Sequence, residues 1–129
     1  MVAHGTIAFD TLTTSDQVKT GTEKSVDKSY IFNGSAKSWC NYTTAATFVN
    51  NGSFNVGSLT DSGAGSCKMN FTNVFNDDDY STTGLQSVGY GQLGLNAQET
   101  TYTWCISYDG SNSAAASGES TMTTHGDLA

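Results

Sequence analysis

TYTWCISY, residues 101–108, decides how this chain folds. Its alternation puts Tyr102, Trp104, Ile106 and Tyr108 on one face and Thr101, Thr103, Cys105 and Ser107 on the other, the two-residue period of a strand with unlike faces. A row of four large side chains is expected to point into a core and to leave the small polar row outside; contact with a ligand is the alternative use of such a row. The Trp-Cys step recurs in GSAKSWCNYTT, residues 34–44, so Trp39 and Cys40 also take opposite faces of a strand. SCKMNFT (66–72) turns Cys67, Met69 and Phe71 one way and Lys68, Asn70 and Thr72 the other. SFNVGSLT (53–60) follows with Phe54 and Val56 until Gly57 breaks the alternation, the signature of a bulge.

The turn residues agree with a chain of strands. Asn33-Gly34, Asn51-Gly52, Asp61-Ser62-Gly63 and Asp109-Gly110 tolerate the positive φ of tight hairpins. Strands are expected at about 6–12, 25–32, 36–42, 46–49, 53–60, 67–72, 81–89, 100–108 and 119–125. Two antiparallel sheets packed face to face bury the inward rows of so many short strands, so the fold class is all-β, a jelly-roll-like sandwich over residues 30–129. Residues 1–29 are poor in apolar side chains from Asp10 onward and form either an N-terminal arm or an edge hairpin. DGSNSAAASGES (109–120) is a long surface loop of small residues between two strands.

Composition narrows the function. A length of 129 residues suits one core, and a net charge of −7 with five lysines and no arginine removes the surface that would neutralise a phosphate backbone. Nucleic acid is therefore excluded as a partner. No apolar run approaches the roughly 20 residues of a membrane span, and MVAHGTIAFD lacks the basic start and apolar middle of a secretory signal, so a soluble chain made in a cytoplasm is expected, with reduced thiols. The Asn-X-Ser/Thr triplets at Asn33, Asn41, Asn51 and Asn70 carry no meaning without export.

The candidate chemistry is thin. Cys40, Cys67 and Cys105 are isolated in sequence, and the two histidines lie near the termini, unlike the paired ligands of a zinc site. A nucleophilic Cys105 would need His125 brought beside it as a base; otherwise Cys40 and Cys105 are small residues opposite their tryptophans and Cys67 fills the core. GYGQLG (89–94) matches a dinucleotide fingerprint but leads toward another strand rather than a helix, with no cation nearby. Asp77, Asp78 and Asp79 offer hard oxygens to a calcium ion or form a solvated acidic turn. No pairing of carboxylates across a cleft, serine elbow or zinc-protease helix is legible. No catalytic, cofactor-binding or metal-ligating residue is therefore assigned. Tyr and Trp side chains, with Asn and Asp in loops such as 109–118 and above all Tyr108 and Asp109, could bind a glycan.

NGSAKSWCNYTT, SFNVGSLTDSGAGSCKMNFT, DDDYSTTG and the terminal HGDLA together resemble a group of short virion proteins and fibre end-domains of tailed, especially marine, bacteriophages. The resemblance covers roughly residues 30–129, and its first two blocks are the most specific part. It is carried by Gly34, Ser35, Ala36, Lys37 and Trp39, by Ser53 to Val56, Thr60, Asp61, Gly63 and Gly65, and by Tyr80 and Ser81. It implies a non-enzymatic structural protein of the virion, a β-sandwich assembling as a homotrimer with other capsid or tail proteins, and no catalytic residues. Head and tail placement, as decoration protein, head fibre or short tail-fibre subunit, stay open. The cysteines at 40, 67 and 105 depart from the aliphatic, aromatic or small polar residues expected of relatives. A glycan-binding module is the second expectation and a small hydrolase using Cys105 or His125 the third.

Overall fold

The computed structural model describes residues 11–13, 25–44, 48–87, 92–109, 111, 113–114 and 118–129. The chain divides into two compact units, Met1–Ser35 and Ala36–Ala129. In the first, β1 (Thr11–Thr13) pairs antiparallel with β2 (Ser25–Asp27), and α1 (Lys28–Gly34) follows directly. A strand over 25–32 is thus corrected to three residues of strand and a short helix. Ser35 N–H donates to Ile31 C=O (3.2 Å), one helical turn back, so Asn33-Gly34 ends a helix instead of turning a hairpin. The two-residue spacing of Tyr30 and Phe32 does not mark a buried strand face, because both rings are exposed on that helix.

The second unit is an antiparallel sandwich of two four-stranded sheets. One has the order β4 (Val49–Phe54), β3 (Ala36–Thr43), β10 (Glu119–His125), β7 (Ser81–Gln86); we call it the β3 sheet. The other, the β9 sheet, has the order β5 (Val56–Asp61), β6 (Ser66–Phe71), β9 (Tyr102–Tyr108), β8 (Gln92–Glu99). Short turns join neighbours within a sheet, as at Gly63 and Gly65, whose φ of 123° and 64° close the β5–β6 hairpin. The other connections cross between sheets. The sharpest crossing is at Asn55, between β4 and β5, which takes a left-handed φ of 55°. Its side chain locks that corner by accepting the Asn73 N–H (2.7 Å) and donating to the Asn73 C=O (3.0 Å). The expected single strand over 53–60 is therefore two strands in different sheets, and Asn51-Gly52 lies inside β4 rather than in a turn. Gly57 does mark a bulge, where the β5–β6 register shifts between Val56 and Ser58. The sequence pattern gives no sign of β8; the expected strand 6–12 falls mostly outside the described residues.

The larger correction concerns which face is inside. Thr103, Cys105 and Ser107 are buried, whereas Tyr102, Trp104, Ile106 and Tyr108 look outward and are only part-covered. Ser38, Cys40 and Tyr42 are buried on β3, and Trp39 is 43% exposed. Cys67, Met69 and Phe71 point inward as expected, joined by Met122 from β10. Rows of thiols and hydroxyls face into the sandwich, and the hydroxyls satisfy one another: Ser107 with Ser120 (3.2 Å) and Thr82 with Thr103 (3.3 Å) bridge the sheets, while Ser38 bonds Thr124 within one sheet. An aromatic cluster fills one end, where Phe75 stacks on Tyr80 (4.3 Å between ring centroids) and packs tilted against Phe71 (4.8 Å). The terminal HGDLA seals this end, Leu128 bridging Phe75 and the Ala129 N–H donating to Val74 C=O (3.1 Å).

Candidate functional site

The three thiols come together in space but not as a reactive group. Cys67 and Cys105 are directly opposed across β6 and β9, and Cys40 lies close enough to Cys67 to act on its charge. Burial pushes Cys40 and Cys105 up to about 11 and Cys67 to about 12, so all three hold their protons at neutral pH. His125 does not share a face with Cys105: on β10 the inward row is Ser120, Met122 and Thr124, which places His125 on the outward row, whereas Cys105 is on the inward row of β9. Asp77 Oδ1 accepts the Asp79 N–H (3.1 Å) in an exposed turn, and among the described residues no three His, Cys, Asp or Glu side chains are placed to hold a metal ion. Of the GYGQLG glycines, Gly89 and Gly91 lie outside the described residues, and Gly94 is within β8.

Asp109 is used by its own turn. Its carboxylate accepts the N–H groups of Ser111 (2.8 Å) and Ser113 (3.0 Å), which orients the start of the 109–118 loop. Tyr108 packs against Gly94, where a Cβ would come within 2.8 Å of the ring. Beside it, the outward aromatics of the β9 sheet are engaged by neighbours. Trp104 Nε1–H donates to Ser66 Oγ (2.6 Å), and the Lys68 ammonium stands 4.6 Å from the Trp104 ring centroid and 4.7 Å from that of Tyr102.

The β3 sheet differs. Trp39 lies over Gly52, its ring carbons 3.7 and 3.8 Å from where a Cβ would stand, with exposed Phe54 as its cross-strand partner. Gly52, Asn41, Thr121 and Leu85 form one register row across all four strands of this sheet. On that row opens a shallow groove of about 290 Å³ lined by Asn41, Leu85, Gln86, Ser87, Glu119 and Thr121. Asn51 Nδ2 donates to Asn41 Oδ1 and Thr43 Oγ1 (3.0 Å each), holding the Asn41 amide with its oxygen engaged. Ser87 N–H donates to Glu119 C=O (2.8 Å) and Ser87 Oγ accepts the Glu119 N–H (2.8 Å), which fixes the groove's far wall.

None of the groove residues stands out as a site in the sequence. The one signal there is the Trp39, Asn41, Thr43 row of β3, but its partners on β7 and β10 are supplied only by register. Among the described residues no helix is long and apolar enough to cross a membrane. Compared with known proteins, the chain matches no family model, no curated protein and no solved structure.

Proposed function

We propose that this chain is a non-enzymatic structural protein on the surface of a tailed-phage virion, a capsid decoration or head-fibre protein or a short tail-fibre subunit, that works as a homotrimer. The observation that carries the assembly reading is the apolar character of its sheet edges. Val49 and Phe54 on β4 and Leu95 on β8 are about half exposed on strands that, among the described residues, stand at the edges of their sheets. Edges of that kind are a liability unless a neighbouring chain or a shell covers them. The disposition of the thiols supports a role without turnover, since buried protonated cysteines are poor nucleophiles. The virion itself enters through the sequence resemblance over residues 30–129. Cryo-EM of the purified particle tests the reading. Copies spread over the shell mean decoration, a few trimers at one vertex mean tail, and absence of the chain from the particle overturns it.

A second function is compatible with the first, adhesion to a glycan of the host surface. Its support is the outward-facing Trp39, 43% exposed and reaching over Gly52, whose register partner Asn41 lines the groove.

A further inference from the structure

We infer that the outer face of the β3 sheet carries a binding site for a neutral oligosaccharide, with the Trp39 indole at one end, Leu85 at the other, and Asn41, Thr121, Ser87 and Glu119 as its polar contacts. This rests on the adhesion reading and moves it from the 109–118 loop, where Asp109 is committed to its own turn, to a different face of the molecule.

The row decides the ligand. A sugar ring presents a patch of C–H groups on its flat side and hydroxyls around its rim, so a site for it combines a flat apolar surface with donors and acceptors at the edges. The six-membered ring of the indole reaches over Gly52, at the start of the row Gly52, Asn41, Thr121, Leu85. Because these residues sit on adjacent strands, the row spans about 14 Å, the reach of about two to three linked pyranose rings. Leu85, 78% exposed, is the second apolar surface. Asn41 has its oxygen taken by Asn51 and so offers its NH2 as donor, Thr121 and Ser87 have hydroxyls, and the Glu119 carboxylate can accept from two neighbouring hydroxyls of one ring.

Charge then selects among saccharides. The groove lining holds one carboxylate and no cation. An acidic sugar in the groove would bring a second negative charge beside Glu119, on a chain already at −7, while Lys37, on the outward face of β3, stands six residues along that strand from Thr43, the cross-strand partner of Glu119. Neutral glycans are accepted and uronic-acid or sialylated ones refused. The groove is shallow and has one aliphatic side chain, Leu85, in its lining, so it encloses no pocket for an aliphatic peptide anchor, and on the β9 sheet Lys68 and Ser66 already engage the indole.

The full-length Trp104→Phe variant leaves Trp39 as the sole tryptophan, so its emission reports the site directly. Titrated with maltotriose, cellotriose and β-1,4-galactotriose, it is expected to give a saturable change for at least one of them below about 10 mM, the range of a small stacking site. The same titration with a trigalacturonate should give none. In an otherwise unchanged chain, Trp39→Ala and Asn41→Ala should each weaken binding by about tenfold or more, as read by calorimetry, with Tyr108→Ala without effect. Binding that survives Trp39→Ala and is lost in Tyr108→Ala overturns this site while leaving the adhesion reading standing. No saturable signal with any probe, together with a blank glycan array, overturns both. A trimer that dissociates in light scattering when Trp39 or Leu85 is replaced assigns the face to a second copy of the chain and overturns the sugar site.

Discussion

Trp39 and Trp104 hold equivalent places in their strands, each one residue before a buried cysteine and each pointing out of the sandwich. Their surroundings are opposite. Trp104 has its N–H on Ser66 and its ring under Lys68, whereas Trp39 lies on a bare glycine with Phe54 as its neighbour. The backbone pattern thus sets direction, and the residues of adjacent strands set availability. Where the neighbour is a serine or lysine, an outward indole becomes part of the fold. Where it is a glycine, the indole stays free to meet a partner.

What the two steps share is an interior cysteine, and this gives the largest expected effect. Free thiols ionise near 9, and these are raised to about 11 for Cys40 and Cys105 and about 12 for Cys67. The folded state therefore holds protons that the unfolded chain releases. The resulting stability is fully present below pH 9 and is lost as the pH climbs through 11 to 12. Because a tenfold change in an ionisation equilibrium is worth about 1.4 kcal/mol, the loss amounts to several kcal/mol and is enough to unfold a small domain. Urea melts between pH 7 and 11 should show a falling midpoint above pH 9. Replacing all three cysteines by alanine should flatten that limb between pH 9 and 10, whatever it does to stability at pH 7, and leave the loss above pH 10 that buried Tyr42 and Tyr80 contribute. An unchanged limb would mean that the thiols are not inside.

Separating the two indoles comes next. Trp104→Ala removes a part-buried ring, its hydrogen bond and its cation contact, and should cost about 2–3 kcal/mol in chemical denaturation. Trp39→Ala removes a ring that rests on one glycine and is 43% exposed, so about 1 kcal/mol or less is expected. Equal costs would erase the distinction between a structural and an available tryptophan. Trp104→Phe, which keeps the ring and loses the bond to Ser66, should fall between at about 1 kcal/mol.

The strand pattern was legible because alternation fixes which residues share a face, and the pairs Trp39/Cys40 and Trp104/Cys105 do split as their spacing requires. Which face is inside was not legible. Size suggests that Tyr102, Trp104, Ile106 and Tyr108 fill a core, but a thin sandwich can instead be closed by Ser, Thr and Cys rows whose hydroxyls bond across the gap. That outcome depends on partners far apart in sequence, such as Ser107 with Ser120 and Ser38 with Thr124. The helix over 28–34 escaped because Tyr30 and Phe32 carry the two-residue spacing of a strand, and the strand over 92–99 because NAQE carries little alternation of its own. The groove was invisible because Asn41, Thr121 and Leu85 meet only through the register of three strands.

Inside the sandwich the comparison reverses, and the smallest prediction tests it. Two residues beyond each cysteine, β9 places Ser107 and β3 places Tyr42. Ser107 is satisfied by Ser120, whereas the fully buried Tyr42 hydroxyl has no hydrogen-bond partner, and burial drives its ionisation well above the usual tyrosine range. Ser120 lies near Tyr42 and keeps an acceptor lone pair beside its bond to Ser107, but its hydroxyl is held toward Ser107 and no hydrogen bond to the phenol forms. Tyr42→Phe removes an orphaned polar atom and should therefore stabilise the fold, by about 1 kcal/mol. Ser107→Ala frees Ser120 to turn to Tyr42, so it should cost less than the roughly 1 kcal/mol of an ordinary lost hydrogen bond. In the double variant neither alternative remains for Ser120, and the two effects should fail to add by about 0.5 kcal/mol or more. Strict additivity in that cycle would show that Ser120 does not choose between them, and that the interiors of the two strands are as independent as their outer faces are different.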